Sequence, residues 1–185
     1  MQDIREDIKT KVDEIMSLIL ENKIDHQEGF ICIALLISRN SVDPNTKTGA
    51  IIIDDNFKML SYGYNDVLLG YQEHVNWYNK DLGDWLNSKY PYVVHAERKA
   101  IYNGFKHKED LTNTMMFASL FPCNECALAI TESGINRLYY FDAKYYDLEF
   151  SIAARNIFDK CDIHYERIGI KEGYLQKIMK KLGDL

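Results

Sequence analysis

Two short segments hold the residue types that do chemistry: His95-Ala96-Glu97 and Pro122-Cys123-Asn124-Glu125-Cys126. His95, Cys123 and Cys126 supply one imidazole and two thiols, a three-ligand set for zinc that leaves a fourth position open for water. A structural zinc is usually closed by four protein ligands, so an open set points to catalysis. Two cysteines three residues apart at the start of a helix bring their thiols to one side, and the N–H groups there favour thiolate over thiol. Pro122 suits the approach to that helix, where a missing N–H costs nothing. Glu97, two residues past His95, can face a metal-activated water without displacing it. Zinc lowers the pKa of such a water to roughly 7, and a neighbouring carboxylate can take its proton. Each residue alone has a plainer reading: Cys123 and Cys126 as buried thiols or a redox pair, His95 as a core histidine. Their joint occurrence with Pro122 and Glu97 favours the metal site.

The surrounding pattern predicts what positions these residues. One helix opens at Ala96 and runs to about Asn103, and another follows Pro122 and ends near Ser133-Gly134. Upstream, Ile4, Ile8, Ile15 and Ile19 share a face of a helix predicted over residues 3–22, a face read as packing on its own domain. A second, strongly apolar helix is predicted over residues 27–39. A loop rich in Pro, Asn and Gly (41–49) leads into a hairpin of strands at 50–53 and 59–64. Residues 66–92, rich in Trp, Tyr, Asn and Asp, form an insertion that is either a surface loop with a short helix or a functional lid. Strands at 114–120, 137–141 and 163–168, helices at 150–160 and 173–182, and no internal repeat complete the chain. This order implies a single α/β domain over residues 1–185: a mixed sheet with helices on both faces.

Composition narrows the partners. A formal net charge of −6 argues against a long nucleic acid, whose binding surface is normally basic. No run of 18 apolar residues spans a membrane, and the charged N-terminal segment lacks the apolar centre of a signal peptide. Of four cysteines, Cys32 and Cys161 read as buried small hydrophobes and not as a disulfide framework. A cytoplasmic location is expected.

The chain resembles the deoxycytidylate (dCMP) deaminases of the cytidine deaminase superfamily. Beyond the metal motifs, the likeness rests on Asp43-Pro44-Asn45-Thr46 with Gly49-Ala50, Gly63-Tyr64-Asn65, and Lys89-Tyr90-Pro91-Tyr92-Val93. Phe121-Pro122-Cys123-Asn124-Glu125-Cys126-Ala127 and Ala153-Ala154-Arg155 extend it. It spans about residues 28–168 and leaves out the N-terminal helix (1–26) and the C-terminal one (169–185). The resemblance implies a three-layer α/β/α sandwich around a five-stranded mixed sheet, one Zn2+ per chain held by His95, Cys123 and Cys126, and Glu97 as proton shuttle. A zinc-activated water would attack C4 of cytosine while Glu97 protonates N3 and then the departing amine. The resemblance also gives Asn65 a contact with the sugar and Asn45 a place in the pocket. The backbones of Ala96 and Phe121 would hold the base. Tyr145 is either near the base or phosphate or a surface tyrosine. A homo-oligomer acting on a small-molecule nucleotide follows. Alternatives are a deaminase of another nucleoside, nucleobase or nucleotide, and a non-catalytic nucleotide-binding scaffold, against which the intact Glu97 stands.

The chain also departs from the family pattern. Asp66-Val67-Leu68-Leu69-Gly70 follows Asn65 where the family often has glycine and a proline loop that helps bind dCTP. The insertion carries no arginine, only Lys80 and Lys89 as lysines, and His74 without a cysteine. Activation by dCTP is therefore not expected, nor is a second zinc. Lys99 replaces a common asparagine; it either supplies a compensating cation for the phosphate or, the favoured reading, lies on the solvent face of its helix.

Overall fold

The structure is a computed structural model that describes residues 4–68, 71, 75–79, 82–171, 173 and 175–177. The isoleucine stripe forms helix α1, Glu6–Leu20; Asp3, the expected start, lies outside the described residues. Ile8, Val12, Ile15 and Ile19 are wholly buried, packed within the same chain on helix α2, His26–Ser38. Asp25 caps α2 by accepting the Glu28 N–H at 2.9 Å, as short polar side chains do at helix starts. α2 is apolar on nearly every side because it lies between α1 and the sheet.

Strand β1, Gly49–Ile53, pairs antiparallel with β2, Met59–Tyr64. Next come a two-residue strand β3, Asp66–Val67, and its antiparallel partner β4, Val93–Val94. Between them a 3-10 turn, Leu82–Asn87, is the short helix of the insertion. Helix α3 (Ala96–Lys106), strand β5 (Met115–Leu120), helix α4 (Asn124–Glu132), strand β6 (Arg137–Asp142), helix α5 (Glu149–Lys160) and strand β7 (His164–Arg167) follow. The main sheet has the order β2-β1-β5-β6-β7. Its β2-β1-β5 pairs are antiparallel and its β5-β6-β7 pairs parallel, with α4 and α5 as the crossovers that parallel strands require. Gly173 and residues 175–177 are helical; the rest of the helix expected to residue 182 lies outside the described residues.

Period-two alternation sorts the strand side chains into two cores. Ile51, Ile53, Met115, Phe117 and Tyr139 join α1 and α2. Ala50, Ile52, Met116, Ala118, Leu138 and Tyr140 join α3, α4 and α5. The expected three-layer α/β/α sandwich with a five-stranded mixed sheet is therefore the fold. One close approach sets the height of α3 above the sheet. At Gly63 an added Cβ would stand 2.3 Å from the Ala96 carbonyl oxygen and 2.4 Å from the Ala100 nitrogen, so no larger residue fits there.

Two expectations need correction. Cys161 is exposed, because it is the C-cap of α5, where the chain turns away through Asp162 at φ 53°. Lys99 is half-buried and paired with Asp66 across 3.0 Å, because the strand that follows Asn65 brings a carboxylate beside the first turn of α3.

Candidate metal centre

The strand register gathers the expected residues at one end of the sheet. Gly49 opposes Tyr64, Ala50 opposes Ala118 and Leu120 lies beside Asp142. That end therefore collects the loop before β1 with Asn45, the residue after β2, Asn65, the residue after β5, Phe121, and the turn after β6 with Tyr145.

His95 is the N-cap of α3 and Cys123 the N-cap of α4. Two positive helix ends thus meet at the site, favouring anionic sulfur and carboxylate there. His95 Nδ1 is 3.4 Å from Cys123 Sγ and 3.4 Å from Cys126 Sγ. Ligand atoms of a tetrahedral zinc, at about 2.0–2.3 Å from the metal, stand about 3.5 Å apart. The three donors match that spacing, and all lie within 4.8 Å of one another. One imidazole with two thiols is a zinc set with a position left open, so the residues present fit the ion. Glu97, on the first turn of α3 and 5% exposed, has its Oε2 3.4 Å from Cys126 Sγ. It faces the three ligands without joining them.

These groups shift one another's protonation. The thiol of Cys126 and then the His95 imidazole, hydrogen-bonded to Cys123 Sγ, lower the Cys123 thiol to about 4 against the opposing effect of burial. Cys126, donating to Cys123 and buried beside the Glu97 charge, is held well above its ordinary value. The His95 pKa is raised by the ring's own hydrogen bond with Cys123, against the opposing effect of burial. Burial raises Glu97, with His95 pulling the other way. A carboxyl group raised toward neutrality can both take and return a proton.

The remaining expected residues have distinct surroundings. Ala96 is wholly buried at the first position of α3. Phe121 is buried among Tyr140, Tyr146 and Phe158. Asn65 organises the loop before β1: its Oδ1 accepts from Thr48 N at 2.7 Å and its Nδ2 donates to the Thr46 carbonyl at 2.9 Å. Asn45 is exposed and donates through Nδ2 to the Trp77 carbonyl at 2.8 Å. Tyr145 is half-buried. Burial opposes ionisation there, but hydrogen bonds with Lys144 and Thr46, with the charges of Lys144 and Lys89, lower its pKa.

Three ion pairs were not anticipated. Asp43, with its side chain 2% exposed, meets Lys89 at 2.5 Å and ties the insertion to the loop before β1. Arg98 reaches Glu125 at 2.9 Å, joining the first turns of α3 and α4, and Lys99 reaches Asp66. A signal was available for the last two: adjacent cations in the first turn of a helix oppose its dipole and need carboxylates to offset them.

Residues 24–142 match the family described as cytidine and deoxycytidylate deaminase zinc-binding region. A Homo sapiens deoxycytidylate deaminase is 34% identical over 147 residues, covering 80% of this chain and 82% of that protein. A probable deoxycytidylate deaminase of Drosophila melanogaster is 35% identical over 143 residues, covering 75% of this chain and 70% of that protein. Among solved structures, the dCMP deaminase of cyanophage S-TIM5 in complex with dCMP and dUMP superposes with a TM-score of 0.62. It is 24% identical and covers 77% of this chain and 96% of that one; at that identity the match speaks for the fold.

Proposed function

The chain belongs to the zinc-binding family of cytidine and deoxycytidylate deaminases, and on that premise we propose that it converts dCMP to dUMP and ammonia. The observation that carries this is the buried Glu97 carboxylate facing a His95-Cys123-Cys126 donor set with zinc spacing. When bound, zinc acts as a Lewis acid that lowers the pKa of a water to roughly 7.

The chain's own groups do the rest. Glu97 takes one proton from the attacking water and delivers it to N3 of the cytosine as oxygen bonds to C4. It then carries the second proton to the exocyclic amine, so that the C4–N bond breaks and ammonia leaves with the 4-oxo product. Backbone groups of Ala96 and Phe121 hold the base edge. Asn65 serves the sugar: with one Oδ1 lone pair given to Thr48 N, the other can accept a sugar hydroxyl. Asn45 completes the pocket wall.

Support for a phosphorylated substrate lies beside Tyr145. Lys144 Nζ is 5.1 Å from the centroid of the Tyr145 ring, and among the described residues Lys144 forms no ion pair. Lys89, by contrast, is neutralised by Asp43. Lys144 and the Tyr145 hydroxyl are therefore the groups assigned to the phosphate. Exposed Tyr102 and Phe105 on α3 and Leu128 on α4 support assembly as a homo-oligomer. Four free cysteines support a reducing, cytoplasmic location. No helix among the described residues is long and apolar enough to cross a membrane.

The test is Glu97→Ala. It keeps fold and bound zinc and lowers kcat by at least about 10²–10⁴-fold, the usual contribution of general acid–base catalysis. Retained turnover in that variant would overturn the mechanism.

A further inference from the structure

We infer that the Asp66–Lys99 ion pair is a positioning clasp for His95 and Glu97, fixing the first turn of α3 for metal binding and proton transfer. The inference rests on the metal site proposed above.

The N-cap of a helix normally contributes a side-chain hydrogen bond to the first turn. In α3 that position is His95, which makes no such bond because its ring faces the two cysteines. The first turn must be held by something else. Asp66 grips the chain on both sides of His95. Its backbone pairs with Val94, the residue before His95, and its carboxylate reaches Lys99 Nζ at 3.0 Å, one turn after His95. The Lys99 N–H in turn donates to the His95 carbonyl at 2.9 Å. Asp66, Val94, His95 and Lys99 thus form a closed ring of contacts around the ligand's backbone.

Charge gives an independent reason. A lysine in the first turn faces the positive end of the helix dipole and is disfavoured there. Its partner offsets that, and the pair is sheltered, with side chains 30% and 13% exposed. Lys99 Nζ also stands 5.7 Å from the centroid of the Tyr64 ring, next to Asn65. The clasp therefore connects the end of β2 to the helix that carries the ligand and the proton shuttle.

The experiment is a double-mutant cycle of Asp66→Asn and Lys99→Met, with Lys99→Arg as the charge-keeping variant. It reads zinc affinity by competition with a chromophoric chelator, alongside kcat and KM for dCMP. Each single variant is expected to weaken zinc binding about tenfold, the lower end of what supporting groups around metal ligands contribute. Each lowers kcat more than it raises KM. The double variant is no worse than the worse single one, and Lys99→Arg stays near the parent. Parental zinc affinity in both singles would overturn the inference. So would a lowered melting temperature with zinc affinity unchanged, or losses that simply add. Because zinc affinity is measured without substrate, failure of the dCMP assignment leaves this test standing.

Discussion

Replacing Gly63 by alanine tests how the sheet sets the position of α3, which carries His95 and Glu97. The new Cβ would stand 2.3 Å from the Ala96 carbonyl oxygen and 2.4 Å from the Ala100 nitrogen, both backbone atoms of α3, whereas real Cβ contacts essentially never fall below 3.0 Å. Since neither atom can swing aside, the helix must lift by about 0.7 Å or more, the usual response to overpacking, which costs about 1–3 kcal/mol. For a chain of this size each kcal/mol lowers the melting temperature by about 2–4 °C. The functional loss is larger. His95 and Glu97 move with α3, while Cys123 and Cys126 stay on α4, so the 3.4 Å separations between His95 and the two sulfurs open. A misplacement of about 1 Å costs about 10²-fold in rate. The assay is kcat from the loss of cytosine absorbance, with zinc affinity measured in parallel. Gly169→Ala is the control: nothing lies within 4 Å of its added Cβ, and it should change stability by no more than about 0.5 kcal/mol. A Gly63→Ala protein with parental kcat and zinc affinity would show that Gly63 does not set the position of α3.

Two further outcomes are expected. With zinc removed by a chelator, iodoacetamide should label Cys123 far faster than Cys126 at pH 6. A thiol lowered to about 4 is fully thiolate above about pH 5 and loses reactivity only as pH falls through about 4, whereas Cys126 is shifted upward; equal rates, or a Cys123 rate climbing steeply between pH 6 and 8, would contradict this. Lys144→Met should raise KM for dCMP roughly 10–100-fold, the loss of a hydrogen bond to a charged group, while leaving deoxycytidine turnover within about twofold. An equal loss on both substrates would remove Lys144 from the phosphate site.

The metal site was legible in the sequence because its chemistry is local: His95 to Glu97 and Cys123 to Cys126 each fall within one helical turn, and Pro122 marks the boundary. The sheet was legible because Ala50 to Ile53 and Met115 to Ala118 are continuous apolar runs covered on both faces. Other features had no local signature. Asp66–Val67 and Val93–Val94 are two-residue strands, too short to show a period. Asp43 and Lys89 meet across 46 residues; adjacent Arg98 and Lys99 call for carboxylates, but only the folded chain shows that Lys99 meets Asp66, 33 residues away. Cys161 looked apolar by type, but its fate depended on where α5 ends. The part of the insertion with His74 and Lys80, expected to hold no second zinc, lies outside the described residues.

Conversion of dCMP to dUMP stands or falls on ammonia release from dCMP, deoxycytidine, CMP, cytidine and guanine, with and without dCTP. The highest kcat/KM is expected for dCMP, with formation of dUMP and little change on adding dCTP. Equal or better turnover of deoxycytidine or cytidine, or of guanine, would contradict the dCMP assignment.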